Sequence, residues 1–227
     1  CLVGSEMCIR DSINTLKGKG YRLAEQQQER FHYSAPFCLE TGSPAVDSGN
    51  EEDYGDLTAR YLLQEMKKDR TVVGITAGTP TVFGFTPERR EEAGRQFVDV
   101  GIAEEHALVL ANALALSGMK PYVTIYSTFL QRGYDQVNHD IARMGGDVVV
   151  GIDRCGVIGE DGVSHQGIFD VSLLLPIPGI TLAQGKDAAE SARLLATGFA
   201  TEGPYLLRYS KNTMQEQALC TEPLPVG

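Results

Sequence analysis

A chain of 227 residues with 42% hydrophobic content can bury one sizeable globular core, and no apolar run in it approaches the roughly 18 residues of a membrane span. Its 20 basic and 30 acidic side chains give a net charge of −10, which argues against nucleic acid or an anionic membrane as partner and requires any anion site to be a local cluster of cations. Five scattered cysteines (Cys1, Cys8, Cys38, Cys155, Cys220), odd in number and without a CxxC pair, suit free thiols in a reducing, cytosolic compartment better than a disulfide framework or a zinc site.

Residues 1–12 lack an initiator methionine, a basic start and any periodicity, so they read as a foreign leader and not as a signal peptide. The stretch 13–53 is polar and turn-rich, with Lys17-Gly18-Lys19-Gly20-Tyr21 and Thr41-Gly42-Ser43-Pro44, and reads as a linker wrapped on a surface. From 54 the texture changes. Asp56 can cap a helix running to Lys68, on which Leu57, Tyr61, Leu62, Glu65 and Met66 recur at helical spacing. The expected elements that follow are a strand over 71–76, a loop through 95, a strand over 97–100, a helix over 103–117, a strand over 122–127 and a helix over 130–144. After these come a strand over 148–153, a glycine-rich loop, a short helix near 169–175, a strand over 180–183, a helix over 187–201 and a strand over 205–209. Helices and strands alternate, and the strands are unbroken apolar runs. Both features predict a three-layer α/β/α domain with a mostly parallel sheet over 54–212, followed by a trailing linker at 213–227.

Three strand ends carry the chemistry. Tyr126-Ser127-Thr128-Phe129-Leu130-Gln131-Arg132 follows one apolar run. Asp153-Arg154-Cys155-Gly156 and Gly159-Glu160-Asp161-Gly162-Val163-Ser164-His165-Gln166-Gly167 follow another. Asp99-Val100-Gly101-Ile102-Ala103-Glu104-Glu105-His106-Ala107 leads a strand into an alanine-rich helix. Open parallel sheets bind ligands beyond their carboxyl ends, so the three segments point at one site. Glu104 shares a helix face with Leu108 and Ala111 and should be drawn into an apolar setting; the bland alternative is a solvated carboxylate favoured by the helix dipole, a role that suits Glu105 better. His106 and His139 sit within helices and read as hydrogen-bonded core or surface histidines, whereas His165 lies in a glycine-flanked loop at the ligand edge. Arg132, Arg154, Arg208 and Lys211 all follow or close strands, as expected of cations gathered around a phosphate, or else of independent surface charges. Phe129 either stacks on a ligand ring or plugs the core.

Taken together, these motifs resemble the pyrimidine-binding domain of the 1-deoxy-D-xylulose-5-phosphate synthase family, thiamine-diphosphate enzymes related to transketolase. The resemblance runs from about residue 15 to 211, and the segment around Lys17-Gly18-Lys19-Gly20-Tyr21 and Phe31-His32 looks like the end of the family's preceding diphosphate-binding domain. It implies an enzyme that joins pyruvate to glyceraldehyde 3-phosphate, releases carbon dioxide, and works as a cytoplasmic homodimer with thiamine diphosphate and Mg2+. By the same resemblance Glu104 contacts the cofactor's aminopyrimidine, where a carboxyl beside a ring nitrogen favours the imino tautomer that can deprotonate the thiazolium. Phe129 and Tyr126 match the aromatic surface for that ring, and His165 and His32 match active-site histidines. Asp161 lines the substrate pocket, and Arg132, Arg154 and Lys211 hold the aldehyde's phosphate.

The sequence departs from the family in three places. Arg208-Tyr209-Ser210-Lys211-Asn212 stands where Arg-Tyr-Pro-Arg-Gly is common, so a point charge replaces a bidentate fork. The loop at 79–95 is longer than usual. No Gly-Asp-Gly motif with a downstream asparagine occurs, so the ligands for magnesium and the diphosphate are expected in a neighbouring domain and the chain by itself is expected to be inactive. Transketolase, which shares the Gly-Glu-Asp-Gly loop and His-Gln, is the nearest alternative, and a non-catalytic pairing module is the second.

Overall fold

A computed structural model describes residues 15–32, 34–45, 52–159, 162–211, 213–214, 219–220 and 222–226. The proposed leader at 1–12 and residues 215–218, 221 and 227 of the trailing linker lie outside the described residues. The chain divides into two compact units, Cys1–Asn50 and Glu51–Gly227. The first unit is more ordered than a surface linker. It holds a short helix, α1 (Arg22–Gln26), and the rings of Tyr21, Phe31 and Phe37, whose centroids lie 5.2–5.8 Å apart. Arg30 closes this cluster by donating to the Gly42 carbonyl at 2.7 Å.

The second unit is built on a six-stranded, all-parallel sheet. Its strands are β2 (Val72–Thr76), β3 (Phe97–Asp99), β4 (Lys120–Tyr126), β5 (Val149–Asp153), β6 (Thr181–Gln184) and β7 (Tyr205–Arg208), in the spatial order β3-β2-β4-β5-β7-β6. A separate two-residue antiparallel pair joins β1 (Glu52–Asp53) to β8 (Thr213–Met214). Successive strand residues feed opposite faces. Val72, Tyr122, Val149 and Tyr205 enter one core beneath α2 (Tyr54–Lys68) and α7 (Ala188–Ala200). Val73, Val123, Val150 and Leu206 enter the other, beneath α4 (Glu104–Leu116). Both faces are therefore covered, which gives the three-layer α/β/α architecture and explains why the strands read as continuous apolar runs.

Register aligns the carboxyl ends. Thr76 pairs with Asp99, Tyr126 with Asp153, and both Ile152 and Gln184 with Arg208. The chain leaves β2 toward β3 on one side and leaves β4 toward β5 on the other, so a topological switch point lies between β2 and β4.

Local chemistry revises several expected boundaries. The cap of α2 is Asp53, which accepts from the Asp56 amide at 2.8 Å; Asp56 itself lies inside the first turn and accepts instead from Arg89 at 2.5 Å. The expected loop through 95 contains α3 (Pro87–Ala93), capped by Thr86 with proline in its first turn, and Phe83 and Phe85 from that loop are fully buried against Phe97 and Tyr122. The single helix expected over 130–144 is broken into α5 (Ser127–Leu130), a 3-10 turn at Gln131–Gly133 and a π-helical stretch at Gln136–Ala142. The segment is drawn against α4 at Gly133, where a Cβ would overlap the Leu108 side chain. Tertiary approach has overridden a regular helical ladder there.

Gly151 in β5 shows how tightly the sheet face is filled. A Cβ there would overlap the hydroxyl of fully buried Tyr122 and sit 2.6 Å from its Cζ. Gly151→Ala should therefore destabilise the chain by about 1–3 kcal/mol through overpacking, read from the urea midpoint. Gly133→Ala should cost less, because the methyl end of Leu108 can rotate away. A Gly151→Ala midpoint equal to wild type would mean that Tyr122 is not wedged as described.

Candidate active site at the strand ends

Glu104 opens α4 directly after the non-helical residue Ala103, and its side chain is 3% exposed on a face shared with Ala107, Leu108 and Ala111. The solvated alternative is therefore excluded for Glu104. An isolated carboxylate in such a setting would cost several kcal/mol in lost hydration, so it needs a partner. That partner is Arg132, whose Nη1 donates to Glu104 Oε2 at 3.2 Å while its Nε lies 3.8 Å from Glu105 Oε1. Glu105 and Arg132 are 43% and 54% exposed, so this ion pair joins a buried oxygen to solvent-facing charge.

At the ends of β4 and β5, four of the expected site residues form one continuous line. Tyr126 and Phe129 stack with centroids 5.0 Å apart and planes within 4°. The Arg154 guanidinium lies over the Tyr126 ring at 4.3 Å, and His165 meets Phe129 edge-on at 5.3 Å. Phe129 is thus neither a simple core plug nor isolated: it is half-buried within this stack. His165 also shares a 2.8 Å hydrogen bond with the Ser164 hydroxyl.

Asp153 fixes the base of the line. It is the last residue of β5 and 5% exposed; its Oδ1 accepts from the Arg154 amide at 2.6 Å and its Oδ2 from Arg154 Nη1 at 2.5 Å. Arg154 adopts φ 56°, the one left-handed non-glycine conformation among the described residues. Burial pushes the Asp153 carboxyl up to about 7, against the opposing pull of Arg154. Asp53, which caps α2, is also pushed up by burial.

The glycine-rich loop is tied at its base. Gly156 and Gly167 exchange backbone hydrogen bonds of 2.7 and 2.8 Å, and the Gln166 amide accepts from the Ile158 amide at 2.7 Å and donates to its carbonyl at 2.6 Å. A Cβ at Gly167 would overlap the Arg154 carbonyl, so the loop return and the arginine turn pack as one piece. Glu160 and Asp161 lie outside the described residues.

The other cations take their own partners. Arg208 forms a fork on Asp170, with Nε–Oδ2 at 2.6 Å and Nη2–Oδ1 at 3.2 Å, and also meets Gln184. Asp170 additionally accepts from the Cys155 thiol at 3.3 Å. Lys211 is half-buried just after β7. His32 belongs to the first unit, where it is exposed and hydrogen-bonded to Lys17. His106 and His139 are exposed on their helices, the latter between Asp140 and Arg143. Among the described residues no cluster of three or more His, Cys, Asp or Glu could hold a metal ion, and no helix is long and apolar enough to cross a membrane. Asp153, which the strand-end motif contains, and Asp170 take structural roles that the sequence motifs do not assign them. The available signal for Asp153 was a carboxylate ending a fully buried strand beside an arginine.

Comparison with known proteins agrees with this architecture. A family model described as transketolase, pyrimidine binding domain, matches residues 51–217. A 1-deoxy-D-xylulose-5-phosphate synthase of Acaryochloris marina is 41% identical over 220 residues, covering 95% of this chain and 34% of that protein. The corresponding synthase of Listeria monocytogenes serotype 4b is 43% identical over 202 residues, covering 88% of this chain and 33% of that protein. The chain thus spans about a third of the length of these curated relatives. Two solved structures share the fold: a split-gene transketolase described as an inactive beta4 tetramer (TM-score 0.63, 20% identity, 72% of this chain and 52% of that one) and transketolase from Leishmania mexicana (TM-score 0.64, 17% identity, 77% and 28%). With a family model matched over most of its length and a sheet, switch point and strand-end site to go with it, the chain belongs to the transketolase pyrimidine-binding domain family.

Proposed function

We propose that this chain is the pyrimidine-binding part of a 1-deoxy-D-xylulose-5-phosphate synthase, joining pyruvate to glyceraldehyde 3-phosphate with release of carbon dioxide. The observation that carries the reading is the buried Glu104 carboxylate at the start of α4, together with the flat Tyr126–Phe129 stack at the adjoining strand ends. These residues fit an aminopyrimidine: a carboxyl for a ring nitrogen and an aromatic face for the ring. Relatives 41–43% identical that carry the synthase name favour it over transketolase, to which the likeness is 17–20%.

Thiamine diphosphate, when bound, supplies the carbon nucleophile and the electron sink. The work of this chain's residues is to hold and move protons and to orient substrate. Glu104 holds the proton at the ring nitrogen, and its apolar surroundings keep water from competing for it. His165, in edge contact with Phe129, is positioned to exchange a proton with a substrate oxygen. Arg154, held over the Tyr126 ring, offers its fork to the aldehyde's phosphate, with Lys211 and Asp161 as further pocket residues. Arg132 serves two ends in this reading, because its pairing with Glu104 links the phosphate anchor to the cofactor carboxylate. His32 is proposed as a further active-site histidine on the strength of the family resemblance. Mg2+ ligands in the part of the relatives that this chain does not span, a homodimeric assembly and a cytoplasmic setting complete the proposal.

In the complete protein carrying this segment, Glu104→Gln should lower turnover of pyruvate with glyceraldehyde 3-phosphate by about 10²-fold or more, the scale of a positioned proton-transfer group. Glu105→Gln should lower it much less. Equal losses at the two positions would reject the assignment of Glu104, and a wild-type protein that releases no carbon dioxide from pyruvate would reject the reaction.

A second measurement addresses the phosphate. Arg154→Ala should reduce kcat/KM for glyceraldehyde 3-phosphate by roughly 10- to 100-fold, the loss of one charge-assisted hydrogen bond, and should abolish the preference over unphosphorylated glyceraldehyde. Arg132→Ala should also lower kcat, because it strips Glu104 of its partner. An unchanged preference in both variants would show that the arginines serve only the fold.

A further inference from the structure

We infer that Asp153 is a positioning residue: it locks Arg154 in its left-handed turn and holds the guanidinium over the Tyr126 ring, so that the anion fork and the aromatic stack are set before substrate arrives. The inference rests on the reading above for what Arg154 binds, but the geometry stands on its own. A non-glycine residue at φ 56° carries a steric backbone cost, and such a conformation persists only where its surroundings impose it. Here both carboxylate oxygens of Asp153 are engaged by Arg154, one through the amide and one through the side chain. The two bonds together fix the backbone turn and the direction of the side chain. From Arg154 the constraint passes to Tyr126 and then, through the stack, to Phe129 and His165.

Asp153 is also placed to make this clamp depend on pH. The groups facing it are Arg154 from its own turn, Asp53 at the cap of α2, Tyr122 from β4 and Tyr209 after β7. Burial pushes both phenols well up, so they stay neutral across the working range. Neighbouring Asp53 adds to the upward push on Asp153, and burial dominates, leaving the carboxyl titrating near about 7. Above that pH the carboxylate grips Arg154; below it the proton competes and the grip weakens.

The test uses the complete protein carrying this segment, with phenylglyoxal as an arginine-directed reagent and mass spectrometry to follow Arg154 against Arg208 as an internal reference, since Asp170 holds Arg208 in a similar fork. Asp153→Asn preserves the side-chain size and removes the charge. It should raise the Arg154-to-Arg208 labelling ratio several-fold at pH 8. In wild type the same ratio should rise as pH falls from 8 through about 7, and that rise should vanish in the variant. The wild-type titration alone decides the matter if the variant fails to fold. The KM for glyceraldehyde 3-phosphate should increase by roughly 10- to 100-fold in Asp153→Asn with kcat changed much less, the signature of a lost charge-assisted contact to the ground state. Comparing variant with wild type at each pH cancels the phosphate's own ionisation near about 6. A labelling ratio that ignores both the substitution and pH, or a pH response that persists in Asp153→Asn, overturns the inference. Labelling that responds while KM does not leaves the clamp standing and rejects Arg154 as the phosphate anchor.

Discussion

A parallel sheet covered on both faces leaves almost nowhere for a charge except at its ends, and the arrangement of this domain follows from that constraint. The interior of β2, β4, β5 and β7 carries no charged side chain, and its polar groups are threonine and tyrosine hydroxyls, such as that of Thr124, which meets the Tyr209 hydroxyl at 2.8 Å. Asp99, Asp153, Arg208 and Gln184 all stand at the last position of a strand, and parallel register brings them to one edge. The helices that cover the sheet add their first turns to the same edge, which is how Glu104 on α4 and Asp53 at the cap of α2 arrive there. Concentration of charge at one rim is thus a consequence of burying both faces, and the chemistry occupies positions that the fold had already made polar.

Charge confined to a rim must still be neutralised where the rim is dry, and the site does so with pairs of unequal exposure. Buried Glu104 meets half-exposed Arg132, whose other edge reaches Glu105 and solvent. Asp153 meets Arg154, which passes its cation on to the face of Tyr126. In each case a carboxylate too costly to bury alone is held by an arginine whose planar fork reaches two partners, a geometry that lysine cannot supply. The arginines therefore act as struts as well as possible anion ligands, and removing one changes the carboxylate behind it.

Much of this was legible in the sequence because the signals are local or periodic. Unbroken apolar runs separated by helical spacing gave the parallel sheet, and the three strand-end motifs marked the edge where Glu104, Tyr126, Phe129, Arg154 and His165 stand. What escaped depends on contacts distant in sequence. The β1–β8 pair joins residues about 160 apart through two-residue strands, too short to show alternation. The breakup of the 130–144 helix answers to Leu108 on another element, so no pattern within the segment reports it. The α3 helix did carry its signal, a threonine cap followed by proline, and was masked by the charged, glycine-flanked texture around it. Asp153 was hidden for a different reason: its neighbour Arg154 drew attention as the functional cation, while the left-handed turn that makes the aspartate necessary has no sequence signature in a non-glycine residue.

Cys155 shows how the same clamp logic separates chemistry from scaffolding. It lies inside the strand-end motif, next to Arg154, where a nucleophilic thiol would be easy to imagine. Yet the side chain is buried, donates to the Ile152 carbonyl at 3.1 Å and faces the Asp170 carboxylate, and burial followed by that negative charge pushes the thiol well above its ordinary range. A thiol held in its neutral form is a poor nucleophile and a poor metal ligand. Asp170 in turn is satisfied by the Arg208 fork, so the trio Cys155–Asp170–Arg208 ties the turn after β5 to the end of β7. Two clamps thus flank β5's exit, one from Asp153 directed at the aromatic stack and one from Asp170 directed at β7, and between them they fix the turn from which the glycine-rich loop departs.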